Sequence, residues 1–158
     1  MIIGIISDTH NLFREEVKKE LKNCNKIIHA GDIGSYNIIK ELEKIAPTEY
    51  VYGNCDKNMG KENTRIIEVE NKKIYIIHNI KNINTRVKDA DIIIYGHSHK
   101  LEIYKESNTI YINPGSIGPK RFNLPISMVK MYINEEEYNN KRHKMHKYEE
   151  VILEEIYF

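Results

Sequence analysis

A chain of 158 residues with 41% hydrophobic content can bury one core without disulfides or a second lobe, so one domain over residues 1–158 is expected. The 24 basic and 23 acidic residues are interspersed and leave a formal charge of +1, which gives no sustained electropositive face for nucleic acid. Two cysteines without CxxC spacing, Cys24 and Cys55, point to reduced thiols in the cytoplasm, and no apolar run approaches the roughly 20 residues that span a bilayer.

Ile2 to Ile6 is rich in β-branched residues and has neither a basic leader nor a small-residue cleavage site, so it is expected to be a buried first strand. It hands over to Ser7-Asp8-Thr9-His10. Phe13, Val17, Leu21 and Cys24 then recur at helical spacing, with Cys24 on the core face. Ile27-Ile28 leads into His29-Ala30-Gly31-Asp32, and Ser35 is placed to cap a helix burying Ile38, Leu42 and Ile45. Glu49 to Tyr52 reads as a third strand ending in Gly53-Asn54-Cys55-Asp56. Three successive strands thus deliver polar groups at their ends, where α/β sheets build their sites.

Ile66 to Glu70 and Ile74 to Ile77, joined by Asn71-Lys72-Lys73, suggest a hairpin ending on His78. A short helical stretch is expected from Thr85 to Asp89. Ile92 to Tyr95 is apolar on both faces, as in a central strand, and delivers Gly96-His97-Ser98-His99. Leu101 to Tyr104 and Thr109 to Ile112 form another hairpin, ending in Asn113-Pro114-Gly115-Ser116, and Ser127 to Ile133 supplies a further strand. Residues 138–148 are expected to be a polar edge strand, and Val151, Leu153 and Ile156 to lie on a last amphipathic helix.

Asp8 and His10 stand two residues apart, so in an extended segment their side chains project to one side and grip one ion together. His97 and His99 repeat that spacing. Carboxylate with neutral imidazole suits Mn, Fe, Ni, Co or Zn better than Ca or Mg. Asp32 has two oxygens with which to bridge two cations, Asn54 offers an uncharged amide oxygen, and His78 completes seven donors. Two ions roughly 3.5–4 Å apart hold a shared hydroxide as nucleophile and neutralise phosphoryl charge. Each element alone is weak; what carries weight is that five segments, each at the end of an apolar run, bear ligand-type groups.

Other polar residues have plainer readings. His29 is expected to hydrogen-bond locally, and Asp56 fits either a partner of the metal ligands or an Asx cap on the next turn. His143 and His146, among Lys141, Arg142, Lys144 and Lys147, are expected on a solvated edge. Gly115-Ser116 lacks the spacing of a nucleophile elbow, because Pro114 stands where glycine is needed.

The order Asp8-x-His10, Gly31-Asp32, Gly53-Asn54-x-Asp56, His78, Gly96-His97-x-His99 resembles the calcineurin-like metallophosphoesterase superfamily, in particular its small stand-alone prokaryotic phosphodiesterase branch, often called YfcE-like. The match runs from residue 2 to about 121. The resemblance implies an α/β, four-layer αββα sandwich of two mixed β-sheets flanked by helices. It assigns one ion to Asp8, His10, Asp32 and His99, the other to Asp32, Asn54, His78 and His97, with His78, Asp32 and Asn54 the catalytic groups. Mn is the first expectation, with Ni, Zn, Fe and Co as alternatives.

The pattern has departures. Asn79 follows His78 where the family places glycine, and Pro119-Lys120 precedes Arg121, to which the resemblance gives a phosphate-binding role. Cys55 takes the place of a histidine that assists the leaving group in the family's serine/threonine phosphatases. A thiol of ordinary pKa about 8.5 is a poor substitute, so slow turnover of monoesters with poor leaving groups and faster turnover of activated diesters are expected.

The expected partner is a small phosphate ester. No membrane or clear nucleic acid partner is expected, although a nucleotide or dinucleotide phosphohydrolase is the nearest alternative within the enzyme class. Tyr and Ile on a free sheet edge leave room for a homodimer. The competing class is an interaction scaffold: a retromer subunit shares this fold but has lost some catalytic histidines, whereas all seven donor positions are filled here.

Overall fold

Alternation along the isoleucine-rich strands decides the architecture. In the computed structural model, which describes residues 1–84, 87, 89–135 and 142–158, six strands form one sheet: β1 (Ile2–Ile6), β2 (Lys26–His29), β3 (Thr48–Tyr50), β9 (Ser127–Ile133), β10 (Lys144–Tyr148) and β11 (Val151–Tyr157). Their order is β10-β11-β9-β1-β2-β3. Five more form the second: β4 (Thr64–Val69), β5 (Lys72–Ile77), β6 (Ile92–Ile94), β7 (Leu101–Glu106) and β8 (Thr109–Pro114), in the order β4-β5-β6-β8-β7. Both sheets are mixed. The strands β1, β2 and β3 run parallel, as do β5, β6 and β8, and the other pairings are antiparallel.

Because side chains along a strand point to opposite faces in turn, each sheet serves two cores. Ile3, Ile5, Ile28, Met131 and Leu153 meet Ile74, Ile76, Ile92, Ile94 and Ile112 between the sheets. On the far face of the six-stranded sheet, Ile6, Ile27, Met128 and Ile156 pack against Val17 and Leu21 of α1 (Glu15–Leu21) and Ile38, Ile39 and Leu42 of α2 (Tyr36–Glu43). On the far face of the other sheet, Tyr75, Ile77, Ile93 and Tyr95 lie under Ile80, Ile83, Val87 and Ala90. The result is the αββα sandwich, with a thin fourth layer. Its described helix is a single 3-10 turn, Ile80–Asn82.

Six local expectations need revision or restriction. Residues 151–157 form β11 rather than a helix: Val151 and Leu153 enter the core between the sheets and Ile156 the helix-side core, a period of two. Glu154 and Glu155, between those apolar residues, are buried and ion-paired. Their partners include His143 and His146, so those histidines cap buried carboxylates instead of standing in solvent. The first hairpin turns through Glu70 and Asn71 alone, both with positive φ (49° and 61°), and Lys72 and Lys73 already belong to β5. Ser35 precedes α2 but its hydroxyl donates to Asn11 Oδ1 (2.6 Å) rather than capping the helix. Of the helical stretch expected at Thr85–Asp89, Thr85, Arg86 and Lys88 lie outside the described residues, as do 138–141 of the expected edge strand. Lys144–Tyr148 does form that edge.

Candidate metal centre

The parallel strands of each sheet end on the same side, and those two ends meet. Asp8 and His10 follow β1, Asp32 follows β2, Asn54 and Cys55 follow β3, His78 follows β5, and His97 and His99 follow β6. Hydrogen bonds join the two sheets here. The Asp8 carboxylate accepts at Oδ2 from Ser7 Oγ (2.6 Å) and from the backbone N–H of His97 (3.1 Å), and His78 Nδ1 donates to the Ala30 carbonyl (2.8 Å). Within the first sheet the strand ladder continues into the loops, with Asp8 N–H donating to Gly31 O and His10 N–H to Asp32 O, each at 3.0 Å.

The backbone is not extended where the spacing argument assumed it. Asp8, His10, Asp32, His97 and His99 all have φ between 43° and 72°. These left-handed turns, rather than strand alternation, bring the side chains together. Asp, Asn and His are the non-glycine residues that enter that region most readily.

The donors converge in two neighbouring groups. Ligand-type atoms of Asp8, His10 and His99 lie within 4.8 Å of one another, and so do those of Asp32, His78 and His97. Asp32 Oδ2 stands between them, 3.7 Å from His10 Nε2 and 3.3 Å from His78 Nε2. Asn54 Oδ1 lies 3.2 Å from both His78 Nε2 and His97 Nδ1. All seven sequence-derived donors are therefore at one place.

The electrostatics suit a cation. Asp8 Oδ1 is buried, lies 3.2 Å from His99 Nε2, and makes no hydrogen bond among the described residues. A buried, unbonded carboxylate oxygen is costly unless a positive charge meets it. Burial pushes the Asp8 pKa up, but the His10 and His99 imidazoles close to its carboxylate, attraction to His78 and the Ser7 hydroxyl outweigh it and hold the group ionised far below the usual range. Asp32 follows the same pattern: burial raises it, while His78 and the Cys55 N–H (2.8 Å to Oδ1) bring it down. His78, whose burial alone would lower its pKa, is raised by Asp32 and Asp8. With Nδ1 donating to Ala30, its Nε2 is left with a lone pair for a metal.

Cys55 is exposed, and its thiol is pushed up by burial of the sulfur and by the Asp32 charge, so it stays protonated at neutral pH. It forms a third group of ligand-type atoms with His10 and Asp32. Arg121 is exposed and its charge reaches Cys55, which places it on the Cys55 side of the site. Asn79 needs no glycine-like backbone: it is extended (φ −114°) and its Oδ1 accepts from Lys81 N–H, capping the 3-10 turn.

Several supporting groups were not singled out by sequence for the roles they play. Asp56 is 1% exposed and neither caps its own turn nor reaches the donors; its carboxylate accepts from Gly53, Ile33 and Gly34 N–H at 2.9–3.0 Å, tying the Asp32 loop to the Asn54 loop. Ser116 Oγ donates to Asp8 O, and Asn113 Nδ2 to Gly96 O and Ser98 Oγ. Arg14 holds the carbonyls of Ile117 and Gly118 and so fixes the loop that leads to Arg121. Gly53 and Gly96 leave room for the carboxylates: a methyl on either would run into Asp32 or into Ser7 and Asp8.

His29 satisfies itself locally, accepting from Gly31 N–H at Nδ1 and pairing with Thr9 Oγ1 at Nε2. Complete burial lowers its pKa from 6.5 to about 4. Between those values the unfolded chain binds the extra proton, so the contribution is complete above pH 6.5 and is lost toward pH 4. The expected loss is about 3 kcal/mol. Urea titrations of the chelated protein between pH 7 and 4 should show that slope, and His29→Gln should flatten it. His78 acts in the opposite sense, its contribution fading as pH rises above 6.5.

A two-sheet sandwich that gathers carboxylates and imidazoles at the joined ends of its strands is of the metal-dependent phosphoesterase class. Residues 1–136 match the calcineurin-like phosphoesterase superfamily domain, and the chain belongs to that superfamily. A probable metallophosphoesterase of Methanothermobacter thermautotrophicus is 34% identical over 82% of this chain and 84% of its own length. A phosphodiesterase of Methanocaldococcus jannaschii is 30% identical over 73% of this chain and 83% of its own. Among solved structures, an archaeal phosphodiesterase superposes over the whole of both chains with a TM-score of 0.74 at 22% identity. A zinc complex of Vps29 from Entamoeba histolytica does so over 86% of this chain and 88% of its own, with a TM-score of 0.72 at 25% identity. No helix among the described residues is long and apolar enough to cross a membrane.

Proposed function

We propose that the chain is a dinuclear phosphodiesterase, with Asp8, His10, Asp32 and His99 holding one divalent cation, Asp32, Asn54, His78 and His97 the other, and Mn as the first choice. The observation that carries this reading is the position of Asp32 Oδ2 between the two donor groups, across His10 from an Asp8 oxygen that has no hydrogen bond among the described residues. Such cations supply Lewis acidity, acidifying water for in-line attack and neutralising charge on the phosphoryl oxygens. The residues do the rest. Asp32 stays ionised between the histidines, Asn54 adds a donor without adding charge, and His78, fixed by Ala30, faces the reacting centre. Arg121, whose charge reaches Cys55, is assigned to meet the phosphate, and Cys55, protonated and only weakly acidic, contributes little to the departure of a basic leaving group. Activated aryl diesters should therefore turn over faster than alkyl monoesters.

The names of the archaeal relatives support the hydrolase reading, and two free cysteines favour a cytoplasmic setting. The Vps29 likeness keeps a scaffold role as the competing reading, and the filled donor set favours the enzyme. The two separate on bis(p-nitrophenyl) phosphate with added Mn. Release of p-nitrophenolate that is lost with chelator and in His99→Ala supports the enzyme; release that survives both treatments removes the site from the chemistry, and no release at all favours the scaffold.

A further inference from the structure

We infer that the cleft beside Asn54, His78 and His97 is a subsite for a second anionic group on the substrate, so that the diester bears a further phosphate or similar anion near its scissile phosphorus. The inference rests on the phosphoesterase reading and adds the chemistry of what is bound next to the reacting phosphate. The cleft holds about 500 Å³ and shares those three residues with the metal centre; its other walls include Tyr52, Lys57, Lys61, Asn63, Asn79 and Asn82. Two lysines and four carboxamides, that of Asn54 included, therefore line it, and no carboxylate does among the described residues. Both lysines are exposed, and neither has an ion-pair partner among the described residues, whereas Lys18, Lys26, Lys44, Lys72 and Lys130 are each matched to a glutamate.

The walls are built rather than loose. Tyr52 N–H donates to Glu62 O (2.8 Å), and Gly60 backs directly on the Tyr52 ring, so the loop carrying both lysines is held against the strand end that delivers Asn54. On the opposite wall Asn79 caps the 3-10 turn that carries Asn82. An apolar substituent would displace water from these amides and lysines without replacing its hydrogen bonds, and would give the cations no counter-charge. A phosphate would be met by both.

The test uses two diesters with the same leaving group, p-nitrophenyl propyl phosphate and p-nitrophenyl 3-phosphonopropyl phosphate, the phosphonate serving as a non-hydrolysable second anion. In each, water adds to the phosphate phosphorus, the P–O bond to the aryl group breaks and p-nitrophenolate leaves. The expected kcat/KM favours the phosphonate diester about tenfold, mainly through KM, with the preference shrinking as salt is raised. It should fall to near parity in K57Q/K61Q and persist in K57R/K61R. Parity in the parent protein, or an undiminished preference in K57Q/K61Q, overturns the subsite. Should neither diester be hydrolysed, the hydrolase reading falls separately. Equilibrium binding of the same pair then decides the subsite: a lysine-dependent preference for the phosphonate upholds it, and equal binding overturns it.

Discussion

Replacing Asp32 with alanine should cost at least about a thousandfold in aryl phosphodiester hydrolysis and should remove both cations together, because its Oδ2 lies within 3.7 Å of His10 Nε2 and 3.3 Å of His78 Nε2. The substitution takes away the carboxylate oxygen that lies between the two donor groups. It also frees the Cys55 N–H that Oδ1 accepts, so the Asn54 loop loses a tie at the same time. Metal analysis distinguishes this from removing an outer donor. His97→Ala, on the exposed side of the site, should leave one tightly held ion per chain, while Asp32→Ala should leave none. Retention of one ion by Asp32→Ala would refute the bridge. Asp32→Asn sharpens the comparison, since it keeps the shape and removes the charge, and it should bind far more weakly than the parent.

Asp56→Ala should be the most destabilising single change near the site, by about 3–5 kcal/mol, although Asp56 touches none of the seven donors. Three backbone N–H groups, those of Ile33, Gly34 and Gly53, would lose their acceptor at a position 1% exposed to solvent. Water cannot readily replace a carboxylate enclosed on all sides, so the cost is that of stranded donors as well as lost bonds. Chelated parent and variant compared by urea unfolding give the stability term. A metal titration of the folded variant gives a second, since Asp32 and Asn54 are held in register through this side chain, and affinity should fall about 10- to 100-fold. Asp56→Asn retains part of the acceptor capacity and should lie between. A variant as stable as the parent would show that the two loops are held apart from this link.

Much of the site was legible because its residues are chemically conspicuous and each terminates an apolar run. Asp8, His10, Asp32, Asn54, His78, His97 and His99 stood out by type and spacing, and they do meet. The supporting layer was harder to see. Asp56 reads equally as a turn cap, since a carboxylate gives no sign in the sequence of which distant amides it will accept, and Ser116 and Asn113 look like ordinary loop polars until Asp8 O and Gly96 O are brought against them. The closing segment misled for a related reason. Leu153 and Ile156 stand three apart, as on one face of a helix, and only burial of Glu154 and Glu155 against His143 and His146 reveals a strand with two covered faces.

The left-handed turns at Asp8, His10, Asp32, His97 and His99 govern how this scaffold can change. A β-branched side chain at any of these five positions meets a steric penalty before any question of coordination arises. The residues most at ease in such a turn, aspartate, asparagine, histidine and glycine, include the ones that bind borderline divalent ions. Chain geometry and coordination chemistry thus select the same short alphabet, and variation at these positions should be confined to it even in descendants that no longer hold a metal.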